Sequence, residues 1–281
     1  MDAHLGKLIR LGRLVRPESG RAVIVAASHG VMSGPPAGLR TRAEIDSVFG
    51  QLRAADGVMV TPGMSRLTSD TFIGRDRPGS VLHLDWKNVG RSVYTPGKDG
   101  RSEGVLAQLA NLEEVAAAGF DAVMTYLYIG QKDSTLERAE IERNARIVQD
   151  AQKVGVGVII EPRSALEGSD PESHSNKVMT TYCRIAADVG ADLVKVVWPG
   201  DIETWSEITD TCFAPVLLAG GPGGDDVEST FRIARETVDA GGAGVMFGRR
   251  VFRSPEPERV LAGLNAIVHE DASVEDVLTR N

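Results

Sequence analysis

The feature that most constrains this chain is a repeated passage from amphipathic helix to apolar strand. "LEEVAAAGFDAVM" (112–124) and "TYCRIAADVGADLV" (181–194) share one form: a helix, a glycine near its end, an aspartate, then an apolar run. "IARETVDAGGAGVMFG" (233–248) repeats it. Short apolar, β-branched runs occur at Ala22–Ala27, Gly57–Thr61, Val81–Asp85, Ala122–Tyr126, Val156–Glu161, Leu193–Val197, Pro215–Ala219 and Gly244–Phe247, eight in all. Most are separated by a helix-like segment. Their apolarity is continuous rather than alternating, which predicts strands buried on both faces, as in a parallel sheet covered by helices.

Eight such units in 281 residues fit one α/β domain, a (β/α)8 TIM barrel of parallel strands spanning residues 1–281. An open doubly wound sheet is the competing architecture, but no GxGxxG follows the first strand. Residues 1–20, "MDAHLGKLIRLGRLVRPESG", predict an amphipathic capping helix, because no apolar run there approaches a membrane span. "PGKDGR" (96–101) reads as a loop beyond the third strand, and "PRSALEGSDPESHSN" (162–176) as a long loop after the fifth.

A net charge of −8 argues against nucleic acid as a partner, while leaving room for a local basic pocket that holds a small phosphorylated ligand. Cys183 and Cys212 have neither CxxC spacing nor enough company for a disulfide framework or a zinc site, which fits a reducing cytoplasm. The expected chain is cytoplasmic and metal-independent, with no cofactor and no membrane contact.

In a barrel of this type the active site is built from the C-terminal ends of the strands and the loops that follow. That rule selects Ser28 and His29, Asp85 and Lys87, Tyr126 and Tyr128, Glu161 and Arg163, Lys195 and Trp198, Gly220–Gly224 and Gly248–Arg250. Lys195 is the sharpest of these. It interrupts the apolar run Leu193–Val197, in a chain where only seven of the 31 basic residues are lysines. Burial disfavours an ammonium, and a neutral lysine amine can attack a carbonyl to form a Schiff base. The competing reading is a lysine that reaches solvent or pairs with a carboxylate.

Two glycine-rich turns, "LLAGGPGGDD" (217–226) and "GVMFGRR" (244–250), follow the seventh and eighth strands, where barrels often bind phosphate through backbone N–H groups. Arg249 or Arg250 could add charge there. His29 is a candidate proton shuttle or a loop-bonded histidine. Tyr126 and Tyr128 alternate to one side, and Trp198 either covers a ligand or closes the core. Asp85 is read as pairing with Lys87.

Taken together, "SHGVMSGPPAGL" (28–39), "DLVKVVWPGD" (192–201), "LLAGGPGG" (217–224) and "VMFGRRVFRSPEP" (245–257) resemble the archaeal-type class I fructose-bisphosphate aldolases, the DeoC/LacD-like group. The group also contains 2-amino-3,7-dideoxy-threo-hept-6-ulosonate synthase and a thiolase acting on a phosphorylated autoinducer. The resemblance runs from about Arg21 to Pro257. It implies a Schiff-base lysine at Lys195, phosphate binding by Gly220, Gly221, Gly248 and Arg249, and a substrate-proximal Lys87 in "HLDWKN". Asp85, Arg163 and Trp198 join as candidate substrate-binding residues.

The chain departs from the family pattern twice. Ser28 stands where an aspartate is common, and Glu161 in "EPRS" stands where a tyrosine is expected. A glutamate could take over general acid/base work, or could simply pair with Lys195 or Arg163. The expected activity is a class I aldolase or transaldolase acting on a phosphorylated ketone with an aldehyde or keto acceptor, in a homo-oligomer. The alternatives are a phospho-substrate thiolase and a phosphate-binding barrel without imine chemistry.

Overall fold

The computed structural model describes residues 2–87, 106–131, 133–165, 176–220 and 226–279. Eight parallel strands close into a barrel: β1 (Ala22–Ala26), β2 (Gly57–Val60), β3 (Gly79–His83), β6 (Ala122–Ile129), β7 (Gly157–Ser164), β8 (Leu193–Val197), β9 (Val216–Ala219) and β10 (Gly244–Phe247). Around the ring the order is β1-β10-β9-β8-β7-β6-β3-β2, with β1 closing on β10 through Ala22 opposite Gly244. A two-stranded antiparallel hairpin, β4 (Asp85–Lys87) and β5 (Leu106–Gln108), stands apart from the barrel between β3 and β6.

The helices follow the chain as α1 (Ala3–Leu14), α2 (Gly30–Ser33), α3 (Arg42–Phe49), α4 (Pro62–Leu67), α5 (Leu112–Ala117) and α6 (Ser134–Val154). The second half adds α7 (Asn176–Val189), α8 (Ile202–Thr211), α9 (Val227–Asp239), α10 (Arg249–Phe252), α11 (Pro257–Glu270) and α12 (Val274–Thr279). Helix starts are written into the sequence as side-chain caps. Thr41, Thr61, Asn111, Asp133, Asp201 and Asp226 each accept a backbone N–H of the helix they open. Among the described residues, no helix is long and apolar enough to cross a membrane.

Two cores follow from strand alternation. Val23, Val25, Val58, Leu82, Val123, Val158, Val194 and Leu218 point outward, beneath the helices. Ile24, Met59, Val81, Met124, Ile159, Leu193, Leu217 and Met246 fill the barrel. The aspartate of the helix–strand repeat has a definite task at the lower rim. Asp56, Asp121 and Asp192 each accept a backbone N–H of a neighbouring strand, from Val23, Ser80 and Val158. Each also pairs with a cation of the N-terminal segment: Arg16, Arg13 and Lys7 respectively.

These three ion pairs hold α1 across the bottom of the barrel. Leu14, fully buried, plugs the opening. A Cβ at Gly57 or at Gly79 would lie 2.7 Å from its Cδ2, so the plug requires glycine at the start of both strands.

The structure moves some expected boundaries. The third barrel strand is Gly79–His83 and not Val81–Asp85, because the chain leaves the ring after His83 to build the hairpin. The strand carrying Glu161 continues through Pro162, Arg163 and Ser164, opposite Leu127, Tyr128 and Ile129 of an equally lengthened β6. The segment 96–101 and most of the expected long loop, 166–175, lie outside the described residues.

Candidate active site

Inward-facing positions at the upper ends of the strands surround a cavity of about 600 Å³. Its apolar floor and walls include Ala26, Met32, Met59, Met246 and Val197. Into it project Ser28, His29, Tyr126, Glu161, Arg163, Lys195, Trp198 and Arg249, with the backbone of Gly220 and Gly248 alongside. Concave, mostly apolar space with a few converging polar groups is the usual form of a small-molecule site.

Lys195 is 7% exposed and Glu161 3%. Strand alternation turns both into the barrel from adjacent strands. Lys195 Nζ donates to Glu161 Oε2 at 2.7 Å, and Arg163 Nη1 donates to Glu161 Oε1 at 3.1 Å. One carboxylate therefore joins two cations, with an oxygen committed to each. Glu161 is in place to receive a proton from Nζ.

His29 sits just above β1, its ring edge-on to Phe252 with centroids 5.3 Å apart. Burial, and then the nearby cations Lys195, Arg249 and Arg253, lower its pKa from 6.5 to about 4. It is a neutral imidazole near neutral pH. Gly248 makes this arrangement possible, since a Cβ there would lie 2.4 Å from His29 Cε1 and 2.5 Å from the Ala26 carbonyl oxygen.

Tyr126 fills the far wall. Its hydroxyl donates to Met32 Sδ at 2.9 Å, and burial, followed by the Glu161 charge, raises its pKa well above the ordinary phenol value. Tyr128 faces the same interior but is fully buried and is not among the residues lining the cavity, its ring 5.9 Å from that of Tyr126. Trp198 lines the cavity while stacking on Trp205 at 5.9 Å, so it meets the core and the site together.

Asp85 is a correction. The chain turns away from the barrel there, and the carboxylate points outward into a buried network. It accepts from the backbone N–H of Tyr126 at 2.6 Å, the hydroxyl of Thr125 at 2.8 Å and Arg143 Nη1 at 2.9 Å. Its pKa is raised by burial, against the pull of Arg143. Arg143 and Asn144, on α6, also donate to the Tyr126 carbonyl. Asp85 therefore braces β6 from behind and is not among the residues lining the cavity.

Lys87 ends β4 opposite Leu106, and its side chain, like Gly221 and the rest of 221–225, lies outside the described residues. Arg250 borders the cavity but spends its guanidinium on the Gly220 carbonyl, at 3.0 Å, and on Thr230, at 3.2 Å. It ties the end of β9 to α9. Arg249 also lines the cavity.

Sequence reasoning missed His83. Fully buried at the end of β3, it meets Ser28 Oγ through Nδ1 at 2.7 Å, and its ring lies 5.6 Å from that of Tyr126. The signal was present in the alternation: counting two residues on from the inward Val81 reaches His83.

A closed (β/α)8 barrel whose strand ends gather a buried lysine, a carboxylate and a cationic rim is the architecture of a small-molecule enzyme acting at its upper face. Residues 22–254 match the DeoC/LacD family aldolase model, and the chain belongs to that family. An uncharacterized aldolase of Saccharolobus solfataricus is 30% identical over 275 residues, covering 98% of each chain. A 2-amino-3,7-dideoxy-D-threo-hept-6-ulosonate synthase of Halobacterium salinarum is 30% identical over 278 residues, covering 98% of this chain and 96% of its own. Among solved structures, an archaeal fructose 1,6-bisphosphate aldolase superposes with a TM-score of 0.77 at 23% identity, over 94% of this chain and 99% of that one.

Proposed function

We propose that this protein is a class I aldolase or synthase that makes or breaks a carbon–carbon bond in a phosphorylated ketone through an imine on Lys195. The observation that carries the reading is the buried Lys195–Glu161 pair at 2.7 Å inside the barrel mouth. Glu161 takes a proton from the Lys195 ammonium, and the freed amine attacks the ketone carbonyl carbon. Glu161 returns that proton to the carbinolamine hydroxyl, which leaves as water. The iminium is the electron sink for the adjacent carbon. Loss of a proton from that carbon gives an enamine, which attacks the acceptor's carbonyl carbon, and hydrolysis then frees Lys195.

Arg163 keeps Glu161 oriented, and neutral His29 is available as a hydrogen-bonding group rather than as a cation. Arg249, beside the backbone at Gly220 and Gly248, supplies positive charge for a substrate phosphate. The synthase name of the Halobacterium salinarum relative and the aldolase family support the same chemistry. The reading extends to a cytoplasmic homo-oligomer. The exposed apolar residues Leu5, Leu8 and Ile9 on one side of α1 support assembly between copies, which light scattering on the purified chain tests directly.

Intact-mass spectrometry after borohydride reduction with dihydroxyacetone phosphate tests the imine. A single adduct on the wild type that disappears in Lys195→Met is the expected result. A wild-type chain that stays unmodified while Lys195→Met still binds the phosphate would leave Lys195 an electrostatic residue and sink the proposal.

A further inference from the structure

The site holds a second acid–base unit that the Lys195–Glu161 pair does not use. Both oxygens of Glu161 are committed to cations, one to Lys195 and one to Arg163. Enamine formation needs a further group to take the proton from carbon. Ser28 lines the cavity from the end of β1, and behind it His83, on β3, holds Nδ1 2.7 Å from its Oγ. Ser28 is 1% exposed and His83 fully buried, so neither is drawn there by solvent.

A serine hydroxyl is a weak base and acid by itself and becomes a useful one when a base lies within hydrogen-bond reach. His83 is that partner. Asp85, two residues along the chain, has turned outward onto Thr125 and Arg143, and the ring of Tyr126 packs on the imidazole from β6.

We infer that Ser28 and His83 form a proton relay for the carbon next to the imine. The inference rests on the imine reading above. As the carbon–hydrogen bond breaks, its electron pair becomes the enamine double bond and neutralises the iminium nitrogen. The proton passes to Ser28 Oγ while the proton already on Oγ passes to His83 Nδ1. The reverse transfer restores the site, so no oxidant or co-reactant enters. Ser28 is the group that meets substrate, and His83 is a positioning residue acting through it. The pair supplies what a carboxylate at position 28 would supply alone.

The test separates imine formation from carbon deprotonation on one probe, dihydroxyacetone phosphate. Borohydride trapping reads the first, and exchange of the donor's carbon-bound hydrogen in D2O, followed by NMR, reads the second. His83→Asn keeps an acceptor near the Nδ1 position but cannot take a proton. It is expected to slow exchange by about 100-fold or more, within the range of general acid–base catalysis, with trapping stoichiometry unchanged. Ser28→Ala should match it, and the double variant should be no slower than either single one. Ser28→Asp placed in the His83→Asn background should recover exchange to within about tenfold of wild type, which a purely structural role for His83 would not allow.

Exchange within about threefold of wild type in His83→Asn, with normal trapping, would overturn the relay and leave the imine reading intact. Absence of any adduct on the wild type would overturn both. Should His83→Asn fail to fold, Ser28→Ala, which deletes one hydroxyl, decides: undiminished exchange there overturns the relay.

Discussion

Replacing Glu161 by glutamine probes whether the buried carboxylate is a proton carrier or a counter-ion. The change is nearly isosteric, so packing is preserved, but one of the two oxygens becomes an NH2 group that faces a cation with donors of its own. Lys195 Nζ at 2.7 Å and Arg163 Nη1 at 3.1 Å cannot both be satisfied. Removing one partner of a buried ion pair costs about 3–5 kcal/mol, because a charge is left without compensation. At a few degrees per kcal/mol, thermal unfolding should fall by roughly 10 °C.

Activity should fall further than stability explains. Loss of a positioned acid–base group lowers turnover by about 100- to 10,000-fold. Lys195 remains in place, so a borohydride adduct with a phosphorykated ketone should still form, more slowly. Turnover and trapping are therefore measured on the same folded preparation, below its unfolding range. Turnover within about threefold of wild type would refute the proton-carrier role and leave Glu161 as the structural partner of Lys195 and Arg163.

Leu14→Ala should destabilise the chain by about 2–5 kcal/mol in urea titrations, since the side chain is fully buried at the barrel floor, while trapping at Lys195 stays unchanged. Gly248→Ala places a Cβ 2.4 Å from His29 Cε1 and 2.5 Å from the Ala26 carbonyl, and should cost about 1–3 kcal/mol and weaken protection by inorganic phosphate in a thermal shift assay. His29, lowered by burial and neighbouring cations to about 4, takes up its proton in the unfolded chain first, near 6.5. Stability should therefore fall as pH drops from 6.5 to 4, by about 3 kcal/mol from this residue, and His29→Gln should flatten that limb of the urea midpoint against pH.

The barrel was legible because its signal is redundant. Eight apolar runs were each visible, and the glycine–aspartate passage between helix and strand marked the lower rim, where Asp56, Asp121 and Asp192 take up strand N–H groups. Lys195 was legible because a charge inside a continuous apolar run has few explanations, and Glu161 because it departs from a family pattern. Strand ends were not legible, and the misplaced site residues follow from that. Where β3 stops depends on the hairpin that follows it. Where that strand stops decides which side chain turns inward, and the inward position at its end is His83, hydrogen-bonded to Ser28, and not Asp85. The Arg143 and Asn144 contacts behind Tyr126 come from α6, the helix that follows β6, across 17 and 18 residues of chain, which no local pattern announces.

The two ends of the barrel treat charge in opposite ways, and the contrast bears on why the upper charges exist. At the lower rim, Arg13 and Arg16 reach aspartates from the partly solvated edge, and each aspartate also accepts a backbone N–H, so these pairs fasten α1. In the mouth, Lys195, Glu161 and Arg163 are all withdrawn from water, with side-chain exposures of 9%, 3% and 15%. Buried ionic clusters are a poor source of stability, and replacing one whole with apolar side chains of similar size is often neutral or stabilising by about 1–4 kcal/mol. Folding therefore gives no reason to keep the triad, whereas imine chemistry does. The combined variant Lys195→Met, Glu161→Leu, Arg163→Met should unfold at or above the wild-type urea midpoint while forming no adduct, unlike the destabilised Glu161→Gln. A combined variant several kcal/mol less stable than wild type would show instead that the triad is part of what holds the barrel together.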